Sequence, residues 1–465
     1  MKKKLLVGLI LTSMLSFCAC SEEGLSVEIA ETDSHTVVQG ADYFGTLSVG
    51  ETGALRIKDN HLLFFDYESK KDYVICSRAN CRHRDETCSG WFGGYHGAKG
   101  LAEYGGKLYC FINNEEENVC ELVRMNLDGT QRKVIAQINR GDGAPGKWDL
   151  IFSPSDFYYT DNKAITTLNW RYNPVDDSEE EVQTEQCIAI DLKSGKITEF
   201  TDRTKDSVQC VIDAISKDYC VVDLSGYEEP MLTEKDFYQK FEQGDFDETA
   251  EIKKAENPYE AYCSWYFDEV PRWYKYILID LKNDKVSVLK EGTLEAAKNS
   301  DGEVHAFFPP FFVCGLYEDN VIVKEFTEAL IEDEGVTGTV KNKIYKWNPK
   351  EGRKELLLDL DNGYVFDAGG INASLIVDDD MLLFLKRKPE GKADYYSYNL
   401  KTGEEEFLYE EVRNVPYRII GEAGNSFVYY TYDDTKKSMY MMKKADYYEG
   451  NFEDSVRLKG LDEYF

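Results

Sequence analysis

Hydrophobic and polar residues alternate along most of this chain, most clearly from Cys187 to Phe200, CIAIDLKSGKITEF. An alternating run meets a polar turn containing Gly or Asp and a second run follows, the pattern of a two-stranded antiparallel hairpin. Related turns begin at Asp66 (DYESKK), Asn126 (NLDGTQ), Asp191 (DLKSGK), Asp280 (DLKNDK), Asn348 (NPKEGR) and Asn399 (NLKTGE), 51 to 89 residues apart, and Ser438 to Leu458 is a worn seventh copy. Further strands flank each turn and group in fours. One group is Leu101–Tyr104, Lys107–Asn113, Cys120–Leu127 and Arg132–Ile138, and another is Ala373–Val377, Met381–Arg387, Asp394–Leu400 and Glu406–Tyr409. Repeats of this size and strand number predict an all-β fold, a β-propeller of seven four-stranded blades, with six and eight as the neighbouring counts.

The loops divide into two classes. Short ones include Tyr104–Lys107, Ser153–Ser155, Ser216–Asp218, Glu318–Asn320 and Asp378–Asp380. Long ones span Ser77–Lys99, Asp161–Glu185, Ser225–Arg272 and Glu325–Thr339. In a four-stranded blade the two classes lie on opposite faces, so elaboration falls on one face, where a rigid scaffold usually carries binding. Residues 225–272 read as a helical insertion in blade four. One helix starts at Thr233, with Phe237 and Phe241 a turn apart, and a second runs from about Glu248 to Ala255 and stops before Pro258.

Aromatic side chains crowd these loops, and Trp91, Tyr95, Trp170, Tyr172, Trp265, Tyr266 and Trp273 are candidate ligand contacts. Such rings stack on sugar faces or anchor peptides, and they also pack between blades. The sharpest cluster is Cys76, Cys81, His83 and Cys88 in CSRANCRHRDETC. Three thiols and an imidazole suit a structural zinc ion, and disulfides are the competing assignment. Cys110 and Cys120 flank a turn almost symmetrically, as partners in a hairpin disulfide would.

The chain carries 86 acidic against 54 basic residues, a net charge of −32. That surface repels phosphate backbones, which argues against nucleic acid and leaves neutral glycans, cations and cationic peptides as partners. There is no H-E-x-x-H, G-x-S-x-G or Walker sequence. Catalysis therefore stays an open question that leans towards a non-enzyme. Channel carboxylates of a propeller glycoside hydrolase or lyase are one alternative, and an envelope assembly scaffold is another.

Met1 to Ser21 has a basic start and an apolar run, Leu5 to Phe17, too short to span a bilayer, and so reads as a secretory signal. Its end, FCAC, resembles the lipobox of bacterial lipoproteins, with Ala19 before Cys20. The resemblance implies a signal peptide over residues 1–19 and acylation of Cys20, anchoring the protein on the outer side of a cell membrane. Residues 20–40 lack a periodic apolar face and read as a tether to a propeller over residues 41–465. The hairpin copies resemble propeller repeats of the TolB, YWTD and WD40-like groups, as found in uncharacterised surface lipoproteins of gut Firmicutes, though the WD and YWTD signatures are absent. That resemblance implies an extracytoplasmic binding protein that engages a glycan, a peptide or an envelope partner through its long-loop face.

Overall fold

The computed structural model describes residues 29–31, 37–41, 47–85, 87–92, 98–175, 181–204, 208–246, 249–298, 304–308, 311–329, 340–361, 363–365, 376–378, 380–388, 392–410, 418–433 and 436–464. Cys20 and Tyr95 lie outside them.

Seven antiparallel sheets follow one another along the chain and form a seven-bladed propeller. Blade one runs from Ser48–Val49 to Lys71–Val74, blade two from Ala98–Tyr104 to Lys133–Asn139, and blade three from Trp148–Thr160 to Ile197–Glu199. Blade four runs from Gln209–Ile215 to Lys285–Thr293, and blade five from Phe311–Tyr317 to Arg353–Asp361. Blade six runs from Gly363–Val365 to Glu405–Glu410, and blade seven from Arg418–Ala423 to Val456–Arg457.

The core is a series of apolar seams, one between each pair of neighbouring blades. Leu62 and Phe64 of blade one meet Leu108 and Val123 of blade two, for example, while Phe65 turns the other way towards Val428 and Tyr430 of blade seven. A strand sandwiched on both faces buries both sets of alternating side chains, which is why HLLFFD is nearly all apolar.

The recurring Asp or Asn has a physical reason. Asp191 Oδ1 accepts from the N–H groups of Lys193 and Ser194 at 3.1 and 2.7 Å. Asp280, Asn348 and Asn399 do the same for the residues two and three positions on. A side-chain acceptor at this place satisfies N–H groups that the turn leaves outside the ladder.

The two ends of the described chain tie the ring together. The terminal 3₁₀ turn Lys459–Tyr464 buries Leu461 beside Phe65, and the buried Arg56 of blade one donates to Gly460 O at 2.9 Å and pairs with Asp72. At the other end, Val38–Gln39 adds antiparallel to Tyr158–Tyr159 of blade three, and Ala41 bridges Leu101 of blade two. Gly40 passes so close to Gly100 that a Cβ at residue 40 would lie 2.8 Å from its backbone. Ile29 is buried in the seam of blades one and two. The tether expected over residues 20–40 is thus corrected for Ile29 and residues 37–40, which pack on the propeller through pairing that no periodic apolar face announces.

Three further expectations change. Ser153–Ser155 is not a turn but lies within the 13-residue strand Trp148–Thr160, whose register slips three times. The loop expected over Asp161–Glu185 contains the strand Lys163–Tyr172 and the start of the strand Val182–Asp191, so Trp170 and Tyr172 sit on a strand. The insertion has three helices, α1 (Glu234–Gln243), α2 (Ala250–Lys254) and α3 (Pro258–Glu269). Thr233 caps α1 as expected. Pro258, read as a stop, opens α3 at the position where a missing N–H costs nothing, with Asn257 accepting from Glu260 N at 3.3 Å.

Candidate metal centre and loop-face cleft

Cys76, Cys81, His83 and Cys88 converge just beyond the last strand of blade one, on the connection to blade two. One ligand atom from each lies within 4.8 Å of all the others. Cys76 and Cys88 are buried, and His83 Nδ1 is 3.2 Å from Cys88 Sγ. Asn80 and His83 both have positive φ, 59° and 50°, which folds the short loop back so that Cys81 and His83 face the two buried thiols.

The loop is anchored on both sides. His61 Nε2 is 2.5 Å from His83 O, Ser77 Oγ donates to Asp128 at 2.9 Å, and Arg132 donates to Ser89 O at 2.9 Å while its guanidinium covers Phe92 at 3.8 Å. Burial works against a charged Cys76. Hydrogen bonds from the Ser89 hydroxyl and from the N–H groups of Arg78 and Ser89 outweigh it and bring the thiol down to about 7. Cys88 moves up to about 12, because burial and the neighbouring Cys76 and Cys81 sulfurs outweigh the Gly90 N–H.

The candidate disulfide of Cys110 and Cys120 is corrected by register. Cys110 pairs with Val123 and Cys120 with Asn113, and the two thiols enter seams on opposite faces of blade two. Neighbouring strands cannot bring sulfurs together through the sheet.

A cleft of about 550 Å³ opens between blades two and three, beside the turn at Asn118 and the connection from Gly141 to Lys147. Trp148, Trp170, Gln137, Asn139, Glu199 and Arg203 supply much of its lining. Buried Asp149 holds the wall, accepting from Gly143 N at 3.1 Å and from Asn173 Nδ2 at 2.6 Å. Gly141, at φ 90°, leaves room for that carboxylate, since a Cβ there would overlap Asp149 Oδ1.

Of the aromatic candidates, Trp170 reaches this cleft, but Arg203 covers its ring at 4.5 Å and its Nε1 donates to Gln186 at 3.0 Å. Tyr172 is buried with its ring 5.2 Å from Trp148. Tyr266 is buried in the insertion, donating to Glu229 O at 2.5 Å, and Trp265 packs beside it near Tyr262. Tyr172 and Tyr266 therefore offer no free face, because the packing that stabilises the seam and the insertion uses them. Trp273 is half-buried on a strand of blade four. Trp91 is half-buried too, its ring 4.9 Å from that of His61. Trp148, Gln137, Asn139 and Arg203 were not singled out from sequence. Trp148 carried a signal, since it closes the Gly-rich stretch GDGAPGKW, whereas the others come from two blades and meet only in space.

Blade four holds the most perturbed carboxyl groups. Burial pushes Asp223 up to about 7, and Asp213 goes well above the ordinary range through burial and then the nearby Asp223 and Asp156 charges. A carboxyl with pKa 3.8 unfolded and about 7 folded keeps its proton in the native state where the unfolded chain has lost it. Its stabilising contribution is complete below the unfolded pKa and is lost as pH rises through the folded one. Unfolding free energy is expected to fall between pH 4 and pH 7.5 by roughly 2 kcal/mol on this account, after discounting for partial exposure, and Asp223→Asn should flatten that slope. Urea titrations across this range check it, and an unchanged slope in the variant would contradict the assignment.

No protein family model matches the chain, and no curated protein matches it by sequence. Solved structures do. The β-propeller domain of the Trilobed protease from Pyrococcus furiosus matches at 11% identity and TM-score 0.40, over 90% of this chain and 96% of that one. The Pyrococcus horikoshii acylaminoacyl peptidase matches at 14% identity and TM-score 0.34, over 73% of this chain and 43% of that one. TolB from Acinetobacter baumannii matches at 12% identity and TM-score 0.27, over 85% and 77%. Similarity at this level bears on the fold alone.

Proposed function

We propose that this chain is an extracytoplasmic binding protein, lipid-anchored through Cys20, that takes up a neutral glycan in the cleft between blades two and three. The cleft carries this assignment. Its volume of about 550 Å³ falls within the range of small-ligand sites, and it sets the amides of Gln137 and Asn139 and the charged heads of Glu199 and Arg203 around the half-buried Trp148. That mixture suits hydroxyl groups with an apolar sugar face between them. The strongly acidic surface disfavours anionic chains.

A glycan array with the purified protein, followed by calorimetry on the hits, tests this. Trp148→Ala is expected to weaken binding by at least about tenfold with the fold intact, consistent with loss of one aromatic anchor. Cys20→Ser should move the protein from the membrane fraction to the soluble one in the same strain. An array without hits, or equal affinity in the variant, would remove the glycan assignment. Cleaved products after incubation with a hit would replace binding with a hydrolase or lyase reading.

A further inference from the structure

We propose that Cys76, Cys81, His83 and Cys88 bind one zinc ion as a closed Cys₃His site that fastens blade one to blade two. Four ligand atoms within 4.8 Å of one another match a tetrahedral site, where Zn–S bonds of about 2.3 Å and Zn–N bonds of about 2.0 Å place the ligand atoms about 3.5 to 3.8 Å apart. Only small closure is needed.

The surroundings match as well. The backbone N–H groups two positions on, Arg78 for Cys76 and Gly90 for Cys88, are placed to donate to the two buried sulfurs. Such donors orient a thiolate ligand and offset its charge. Between Cys76 and Cys88 the loop is polar and has no apolar core of its own, so a metal cross-link would add to the His61 contact on His83 O and the turn bond from Cys81 N to Arg78 O that set Cys81 and His83 over the buried pair. A single disulfide would join two of the three thiols and leave the third thiol and the imidazole converging on it without purpose. The contrast with the other thiols is instructive: Cys110, Cys120, Cys187, Cys210, Cys220 and Cys314 lie on strands within apolar seams, as packing residues do.

Binding would release the three thiol protons to solvent, and three thiolates with a neutral imidazole around Zn²⁺ would leave the site with a net charge of −1. The anchors at Asp128 and Arg132 belong to blade two, so closing the site also fixes that seam from outside.

The purified mature protein is expected to contain about one zinc per chain by elemental analysis, with Cys76, Cys81 and Cys88 protected from alkylation until a chelator removes the ion. Exchange with Co²⁺ should give the intense ligand-field bands of a tetrahedral site and a thiolate charge-transfer band. His83→Cys should keep about one metal per chain and strengthen the charge-transfer band, while Cys81→Ser should lower metal retention at least tenfold. The His83→Cys spectrum keeps the test decisive if Cys81→Ser fails to fold. Zinc below about one-tenth per chain would overturn the proposal, whether the thiols alkylate freely, as packing residues, or the peptide is lighter by two hydrogens, as a disulfide.

Discussion

Arg56→Ala is expected to lower the unfolding free energy by about 2 to 3 kcal/mol and to loosen the ring between blades seven and one. The guanidinium is 2% exposed, pairs with Asp72, donates to Gly460 O and lies 5.8 Å from the Phe65 ring. Removing it takes a donor from two segments 388 residues apart in sequence, and leaves the terminal turn to Leu458, Leu461 and Asp462, which accepts from Met439 N at 3.0 Å and Arg457 Nε at 2.9 Å. No strand is exchanged between the first and last blades among the described residues, so this seam depends on side chains rather than on shared backbone hydrogen bonds. Deleting residues 459–465 should cost more, because it also removes Leu461 and Asp462, and the combined loss should fall short of the sum, because both changes break the Arg56 contact with Gly460. Denaturant titration of both single variants and the combination decides this. Additive losses would mean that Arg56 acts elsewhere.

Phe237→Ala is expected to cost about 3 to 5 kcal/mol, but locally. Phe237 is fully buried in the insertion, with Tyr262, Phe246, Tyr238, Phe241 and Tyr259 rings at 4.9 to 5.6 Å. That cluster, with Ile252 and Val270, is a core separate from the blade seams. The helices hang from two paired strands of blade four, so their melting need not unpair a blade. Limited proteolysis of the variant should cut between residues 228 and 271 at low denaturant while the ring keeps its cooperative transition. A single transition lowered by the full amount, with no early cleavage, would show that the insertion and the ring fold as one unit.

The strand grouping and the blade count were legible because the cues are local. The Asp or Asn opening the third-to-fourth turn of blades three to six accepts from N–H groups two and three residues on, so the same residue type recurs with that turn. The metal-ligand candidates were legible for the same reason, since all four lie within 13 residues, although the choice between metal and disulfide needed the distances. Thr233 capped its helix as read, while Pro258 misled because proline marks a helix start as well as a stop. Ser153 to Ser155 misled because turn-forming residues also fit the bulges of a long inner strand.

What depended on distant partners was decided only by the folded chain. The sheet register separated Cys110 from Cys120, and the seams claimed Tyr172 and the insertion core Tyr266, rings that composition alone left free to bind. The docking of residues 37–41 rests on backbone pairing with residues more than 50 positions away, which puts no mark on side-chain periodicity. The cleft is assembled from blades two and three and the chain after them. Propeller repeats are thus written in the sequence by short-range hydrogen bonding and alternation. Which surfaces remain open depends on how neighbouring blades fill the space between them, and that packing is a property of residue pairs far apart along the chain.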